Sequence, residues 1–589
     1  MRFLGNVLAT VVGLFVFIIL FFFTSALIIG LVSSGSQDAT EVPTNSVLKL
    51  TLDRPIQEKI TEENPFQELE GFPGVGAAPM GLIDLLGEID NAKLDPNIKG
   101  IYLEVGLISQ GFATLEEIRN ALVEFKDSGK FIIAYGEIYT EGAYYLASVA
   151  DHIYLAPEGI MIFDGLGTEI IYLKEFLNNL GIEPEVFRVG EYKSAVEPFL
   201  RNDMSEENRE QIKAYLSDLH EHYLSSIEAS RGIAFEDLKS ISDNALVRSP
   251  EDAVGFKLVD DTLYFDQVVD KLKESSGVAK DEKLSLLTYG QYKKAPRLNR
   301  QEFSRNKVAV IVGEGQIISG NGGSGFLGGN KIADEIRKAR NNESIKAIVL
   351  RINSPGGSAL ASDVMWREVK LAAQEKPVIA SMSDLAASGG YYMAMAADTI
   401  VAYPNTITGS IGIFSLLFNA EDLLNNKLGL HFESVSTGKL SNLGSPTDDF
   451  TQAEREYLQT NVDRGYKTFV SKAAEGRNMP VDSLESLASG RVWTGNAAVE
   501  NGLVDVLGDL EDAIEIAATS AGVENDYMVR YYPEKKDFLS DLLNKPIEKV
   551  GYLFAPEQDP LLKPVLEQVR FIQAMEGPQA LLPYRFKIE

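Results

Sequence analysis

The chain is predicted to be an α/β protein built from two tandem copies of one unit with mostly parallel sheets, preceded by one N-terminal transmembrane helix. Three observations predict this. First, residues recur at a constant offset of 247: Ile98-Lys99 returns as Ile345-Lys346, Tyr144-Tyr145 as Tyr391-Tyr392, and Leu177-Asn178-Asn179 as Leu424-Asn425-Asn426. One inserted residue then moves the offset to 248, where Gly190 meets Gly438. Second, short apolar runs alternate with amphipathic helical ones, a pattern that implies right-handed crossovers between parallel strands. Third, residues 7–32 form an uncharged apolar run of 26 residues. A bilayer span needs about 20, and the apolar core of a cleaved signal peptide is only about 7–15 long.

The elements follow in order. Residues 1–32 read as the anchor; Arg2 precedes the apolar run while Asp38 and Glu41 follow it, which favours an inside N-terminus and an outside body. Residues 33–46 are a polar linker, and the first unit occupies 47–290. A basic connection, 291–306, leads to the second unit at 307–524. There strands are expected at 308–312, 347–352 and 378–382, and helices at 332–340 and 359–374. Thr451-Gln452-Ala453-Glu454 reads as a capping box opening a long helix that ends near 474, with its counterpart near 205–231. The tail, 525–589, ends in an alternating stretch at 580–589 that reads as a strand added to a sheet edge.

Composition removes several functions. A net charge of −30 argues against nucleic acid, whose phosphates need a basic surface. The absence of cysteine excludes disulfides, a thiolate nucleophile and zinc–thiolate sites. The HExxH pattern of metalloproteases is absent too.

What remains is a set of small-residue turns. Asn353-Ser354-Pro355-Gly356-Gly357-Ser358 follows a predicted strand and can aim backbone N–H groups at an oxyanion; the first-copy equivalent, residues 106–111, lacks Pro-Gly-Gly. Ala386-Ala387-Ser388-Gly389-Gly390-Tyr391-Tyr392 presents a serine hydroxyl at the start of a helix. In the repeat register Ser388 faces Glu141 and Lys193 faces Ser441, so a nucleophile survives in one copy and a base in the other. That pattern predicts one composite site per chain. Of the four histidines, His152, His220, His222 and His431, none stands in a context that supports a Ser-His-Asp triad. Lys193, in Gly190-Glu191-Tyr192-Lys193-Ser194-Ala195-Val196-Glu197-Pro198-Phe199, becomes a competent base if burial keeps it neutral, although Glu197 would hold it charged by pairing with it. Ser410, in Thr408-Gly409-Ser410-Ile411-Gly412, is placed to orient the lysine. Ordinary readings stand beside these: a glycine turn, an N-cap serine and a solvated lysine.

These four motifs together resemble the signal peptide peptidase A family in its long, duplicated form, whose members are membrane-anchored Ser-Lys proteases of bacteria. The resemblance covers residues from about 45 to 520 and the anchor. It implies Ser388 as nucleophile, Lys193 as general base, Ser410 as the lysine-orienting hydroxyl, and backbone N–H groups of Gly389 and of Gly356 or Gly357 as the oxyanion hole. It also implies a Clp-protease/crotonase-like fold, a homotetramer, and remnant signal peptides in the membrane as substrates. The implied location is the bacterial inner membrane, single-pass, with the catalytic body on the periplasmic side, and neither cofactor nor metal is implied. One departure is that shorter members keep lysine and serine in one repeat; here Ser441 holds that register and Lys439, two positions earlier, is a competitor. The other readings are a crotonase-like acyl-CoA enzyme and a non-catalytic membrane scaffold.

Overall fold

The duplication is visible strand by strand. The computed structural model describes residues 41–61, 79–108, 110–299, 301–323, 325–535 and 577–582, with isolated positions between 10 and 24. In the first half a six-stranded parallel sheet runs Asp261–Thr262, His152–Met161, Phe131–Tyr139, Ile98–Val105, Ser46–Leu52, Leu286–Thr288. The second half repeats its centre with Val378–Ala387, Ile345–Ser354 and Lys307–Glu314. Even the irregularities recur: the ladder shifts between Ser46 and Val47 in one half and between Lys307 and Val308 in the other.

Parallel strands covered by helices on both faces need apolar residues at every position, odd and even. Ala309, Ile311, Ile348 and Leu350 enter one core of the second half, while Val308, Val310, Ala347 and Val349 enter the core on the opposite face. The same division separates Leu48, Leu50 and Leu103 from Val47 and Tyr102 in the first half. The predicted helices appear as Gly329–Asn341 and Ala359–Ala373, and Thr451 and Glu454 form the predicted capping box on Gln452–Gly476.

Two features differ from expectation. The strand expected at 378–382 continues to Ala387, because Ser383-Asp384-Leu385 remains in the sheet as a bulge: Ile352 pairs with Met382 and Ser354 with Ala386. The tail strand, Gln579–Leu581, lies inside a sheet instead of at its edge, between Gly356–Ser358 and Ile413–Asn419. Residues 583–589 of the predicted strand lie outside the described residues. So does most of the predicted anchor at 7–32; among the described residues no helix is long and apolar enough to cross a membrane.

That third sheet joins the halves. Glu183–Val189, from the first half, pairs antiparallel with Ile413–Asn419, from the second, over the full length of both strands. Beneath the joint Ala195, Val196 and Phe199 pack with Phe414, Leu416 and Leu581. Phe414 is fully buried in this cluster. Phe414→Ala should therefore cost about 3–5 kcal/mol, read as a lower midpoint of denaturant unfolding, and should reduce any activity that needs both halves.

Candidate active site

Ser388 follows the bulged strand Val378–Ala387 and caps the short helix Gly389–Ala394. Its backbone sits at φ +55°, ψ −109°, a conformation L-residues rarely adopt. Neighbours hold it there: Ser388 N donates to Gly409 O at 2.8 Å, and Ser388 O accepts from Tyr392 N at 2.8 Å. The result is a buried hydroxyl turned out of the sheet at a helix N-terminus.

The Pro-Gly-Gly turn lies beside it. Ser354 Oγ donates to Gly315 O at 2.7 Å and accepts from Gly356 N at 3.2 Å, which stiffens the turn. Gly357 has φ +152°, and a side chain there would run into Ile317 O. A Cβ built on Gly389 would lie 3.1 Å from Gly357 N, so these two amides are neighbours next to Ser388. Gly356 differs from the expectation that either turn glycine could serve, since its N–H is already bonded to Ser354.

Lys193 arrives from the other half at the end of Glu183–Val189. Tyr192 N donates to Ser489 O at 3.1 Å and Gln211 Nε2 to Tyr192 O at 3.1 Å, fixing the turn before the lysine. Lys193 has no solvent exposure. Its Nζ is hydrogen-bonded to Ser388 Oγ at 2.7 Å and lies 3.0 Å from both the hydroxyl and the carbonyl oxygen of Ser410. Ser410, itself at φ +50°, donates its hydroxyl to Gly490 O at 3.2 Å. Glu197 does not reach the lysine; it accepts from Ser205 and Asn208 instead. Burial alone pushes the lysine pKa well below its ordinary value.

The competitors are elsewhere. Lys439, Ser441, His431 and His152 are exposed. His220 is bonded to Ser242, and His222 to Glu116. Glu141, in the register of Ser388, is buried and accepts from Asp164 N and Gly165 N at 3.1 and 3.2 Å; burial raises its pKa to about 7. Segment 489–491 carries no motif, yet it lies between the two turns: Gly490 N donates to Ile411 O at 2.8 Å and Ser410 N to Arg491 O at 2.7 Å.

The tail strand completes the site. Gly356 faces Leu581 and Gly357 faces Ala580, while Leu582 N donates to Pro355 O at 2.6 Å. The carbonyl oxygen of Ala580 would lie 3.0 Å from a Cβ on Gly389. A peptide carbonyl therefore occupies the space beside Ser388 and the two amides.

The sequence pattern of peptidase family S49 matches residues 124–279 and 370–524. The chain is 39% identical over 439 residues to the chloroplastic serine protease SPPA of Arabidopsis thaliana, covering 73% of this chain and 64% of that one. It is 36% identical over 515 residues to Protease 4 of Haemophilus influenzae, covering 85% of this chain and 83% of that one. For Protease 4 of Salmonella typhi the identity is 38% over 463 residues, covering 77% and 74%.

A buried amine without a counter-charge weakens folding below the pKa of an unfolded lysine, because the unfolded chain binds the proton more tightly. Lys193→Met, which fills the same space without a charge, should show a Tm at pH 7 equal to or above that of the parent. Peptide cleavage should fall to background in the same variant.

Proposed function

Because the chain belongs to peptidase family S49, as a serine protease of the signal peptide peptidase A type, we propose that Ser388 is its nucleophile and Lys193 its general base, in one composite site per chain. The observation that carries this is the 2.7 Å contact between a fully buried amine and a serine hydroxyl held at positive φ. The three relatives are all named as proteases, which leaves the acyl-CoA and scaffold readings without support.

The bonds around the amine dictate the direction of proton flow. A neutral amine has two N–H groups and one lone pair. Ser410 donates its own hydroxyl proton to Gly490 O, so Ser410 Oγ accepts one lysine N–H and Ser410 O accepts the other. The lone pair is left for the Ser388 hydroxyl. Lys193 takes that proton as Ser388 Oγ attacks the peptide carbonyl, and the N–H groups of Gly389 and Gly357 receive the oxyanion. The protonated amine then donates to the leaving nitrogen. Water, deprotonated by the same lysine, releases the acyl group and restores the serine.

The substrate is proposed to lie as the tail strand lies, extended between Gly356–Ser358 and Ile413–Asn419, with main-chain pairing for affinity. Leu581 packs there with Phe414 and Leu416, so the groove accepts apolar side chains. Remnant signal peptides, apolar in their cores, fit this chemistry. The Clp-protease/crotonase-like fold, the anchor at 7–32, a homotetramer and a body on the outer face of the bacterial inner membrane belong to the same proposal.

Ser388→Ala should abolish cleavage of an apolar signal-peptide sequence and labelling by a fluorophosphonate; retained cleavage refutes the nucleophile. Since the neutral amine is the active form and burial favours it, activity on the acid limb should rise with pH, and an optimum confined to about pH 4–5 contradicts a lysine base. Full-length protein should float with membranes and, in detergent, show four times the chain mass by light scattering. Removal of residues 1–32 should release it to the soluble fraction; a variant that still floats places the attachment elsewhere.

A further inference from the structure

The helix Phe112–Asp127 has no cap of its own. Its N-cap is Gly111, which offers no side chain to the first turn. In the repeat register Gly111 stands where the second half has Ser358, whose hydroxyl accepts from Ala361 N at 3.3 Å and caps Ala359–Ala373. The first half is capped from across the molecule. Asp384 Oδ1 accepts from Thr114 N at 2.8 Å, and Oδ2 from Thr114 Oγ1 at 2.6 Å. Thr114 is the register equivalent of Ala361, so the donor is the same and only the source of the cap has changed. Gly111 must be glycine for this, because a Cβ would run into the Asp384 carboxyl group.

Asp384 is no ordinary capping residue, since it belongs to the bulge Ser383-Asp384-Leu385 that leads to Ser388. Across the ladder these residues face Asn353 alone. Such a bulge re-aims the strand after it and lacks regular ladder bonds to Ile345–Ser354, although on its other edge Leu385 pairs with Ile407. Its other bonds run both ways: Ser383 O accepts from Thr406 Oγ1 at 2.8 Å within the second half, while those made by Arg351 and Asn353 lead back to the first. Arg351 donates to Ser381 Oγ at 3.2 Å and to Ser383 Oγ at 3.1 Å, and is itself held by Glu58 at 2.8 Å and by Glu117. Asn353 Oδ1 accepts from Leu385 N at 3.3 Å, while its Nδ2 donates to Glu58 Oε1 at 3.1 Å.

We propose that Asp384 is a positioning residue: by capping the first half's helix it ties the bulge before Ser388 to the body that carries Lys193, and keeps serine and lysine in register. The helix start that in the second half adjoins the oxyanion turn has become, in the first, an attachment point for the nucleophile strand. This rests on the Ser388–Lys193 reading.

The test uses full-length enzyme, with kcat referred to Ser388 titrated by fluorophosphonate. Asp384→Ala should lower kcat by about tenfold or more with KM within about twofold, since small misplacements cost turnover more than binding. A purely structural cap predicts a lower Tm instead, with normal kcat in the folded fraction. Gly111→Ser combined with Asp384→Gly, which leaves no Cβ to meet the new side chain, separates the two, because it gives the helix a hydroxyl cap like that at Ser358 and leaves the bulge untied. Tm should then recover while kcat stays low. Recovery of kcat in the double variant, or a kcat for Asp384→Ala within about twofold of the parent, overturns the proposal. If Asp384→Ala does not fold, Thr114→Val, which removes one of the two bonds, should still lower kcat by about two- to fivefold at unchanged KM; an unchanged kcat there overturns it equally. Cleavage retained by Ser388→Ala in the parent background would instead sink the dyad reading, independently of this series.

Discussion

A lysine amine closed off from water, with serine oxygens and a carbonyl around it and no carboxylate in reach among the described residues, is the constraint on which the site depends. Holding a charged ammonium in such a place costs several kcal/mol, so burial favours the neutral amine and its lone pair. That state exists only while the enclosure is intact. Segment 489–491, the cluster around Phe414 and the joint between Glu183–Val189 and Ile413–Asn419 all contribute to it. Most lysines of this chain differ from Lys193 in burial, and burial is what sets its proton affinity.

The duplication explains how the enclosure is built from both halves. Each copy has lost what the other keeps: Glu141 stands in the register of Ser388, and Ser441 in that of Lys193. The loss leaves different marks. Glu141 is buried and bonded to backbone amides, so in the first copy the position in register with Ser388 is part of the core. Ser441 is exposed, and among the described residues the second copy shows no strand at 431–437, the register equivalent of Glu183–Val189. The first copy's strand crosses over and pairs with Ile413–Asn419 of the second. The proposed catalytic pair is therefore an interface property, sensitive to anything that shifts one half against the other.

The groove beside Ser388 follows from the same geometry. Gly356–Ser358 and Ile413–Asn419 both present main chain toward the gap that Gln579–Leu581 fills. A third extended strand satisfies both edges, and it brings a carbonyl next to Gly357 and Gly389 without any specific side chain. Recognition through backbone pairing with an apolar wall suits peptides that share hydrophobic character more than a motif.

Much of this was legible in the residues alone. The offset of 247 exposed the two copies, period and length separated strands from helices, and Thr451 with Glu454 marked a helix start by chemistry local to four residues. Ser388, Gly357, Gly389, Ser410 and Lys193 are picked out by four short motifs taken together with the family those motifs resemble. Other contributors left no such trace. The polar pair Ser383-Asp384 looks like a strand end, yet Arg351, Asn353 and Thr114 hold the segment 383–385 in the sheet. The stretch 580–589 reads as an edge strand, and only the spacing of two distant strands makes Gln579–Leu581 an interior one. Local pattern and the repeat by themselves determined which residues could do chemistry, because those depend on neighbours in the chain. Which of them meet, and that the amine is closed off from water, was decided by the packing of one half against the other, since burial and distance belong to the folded whole.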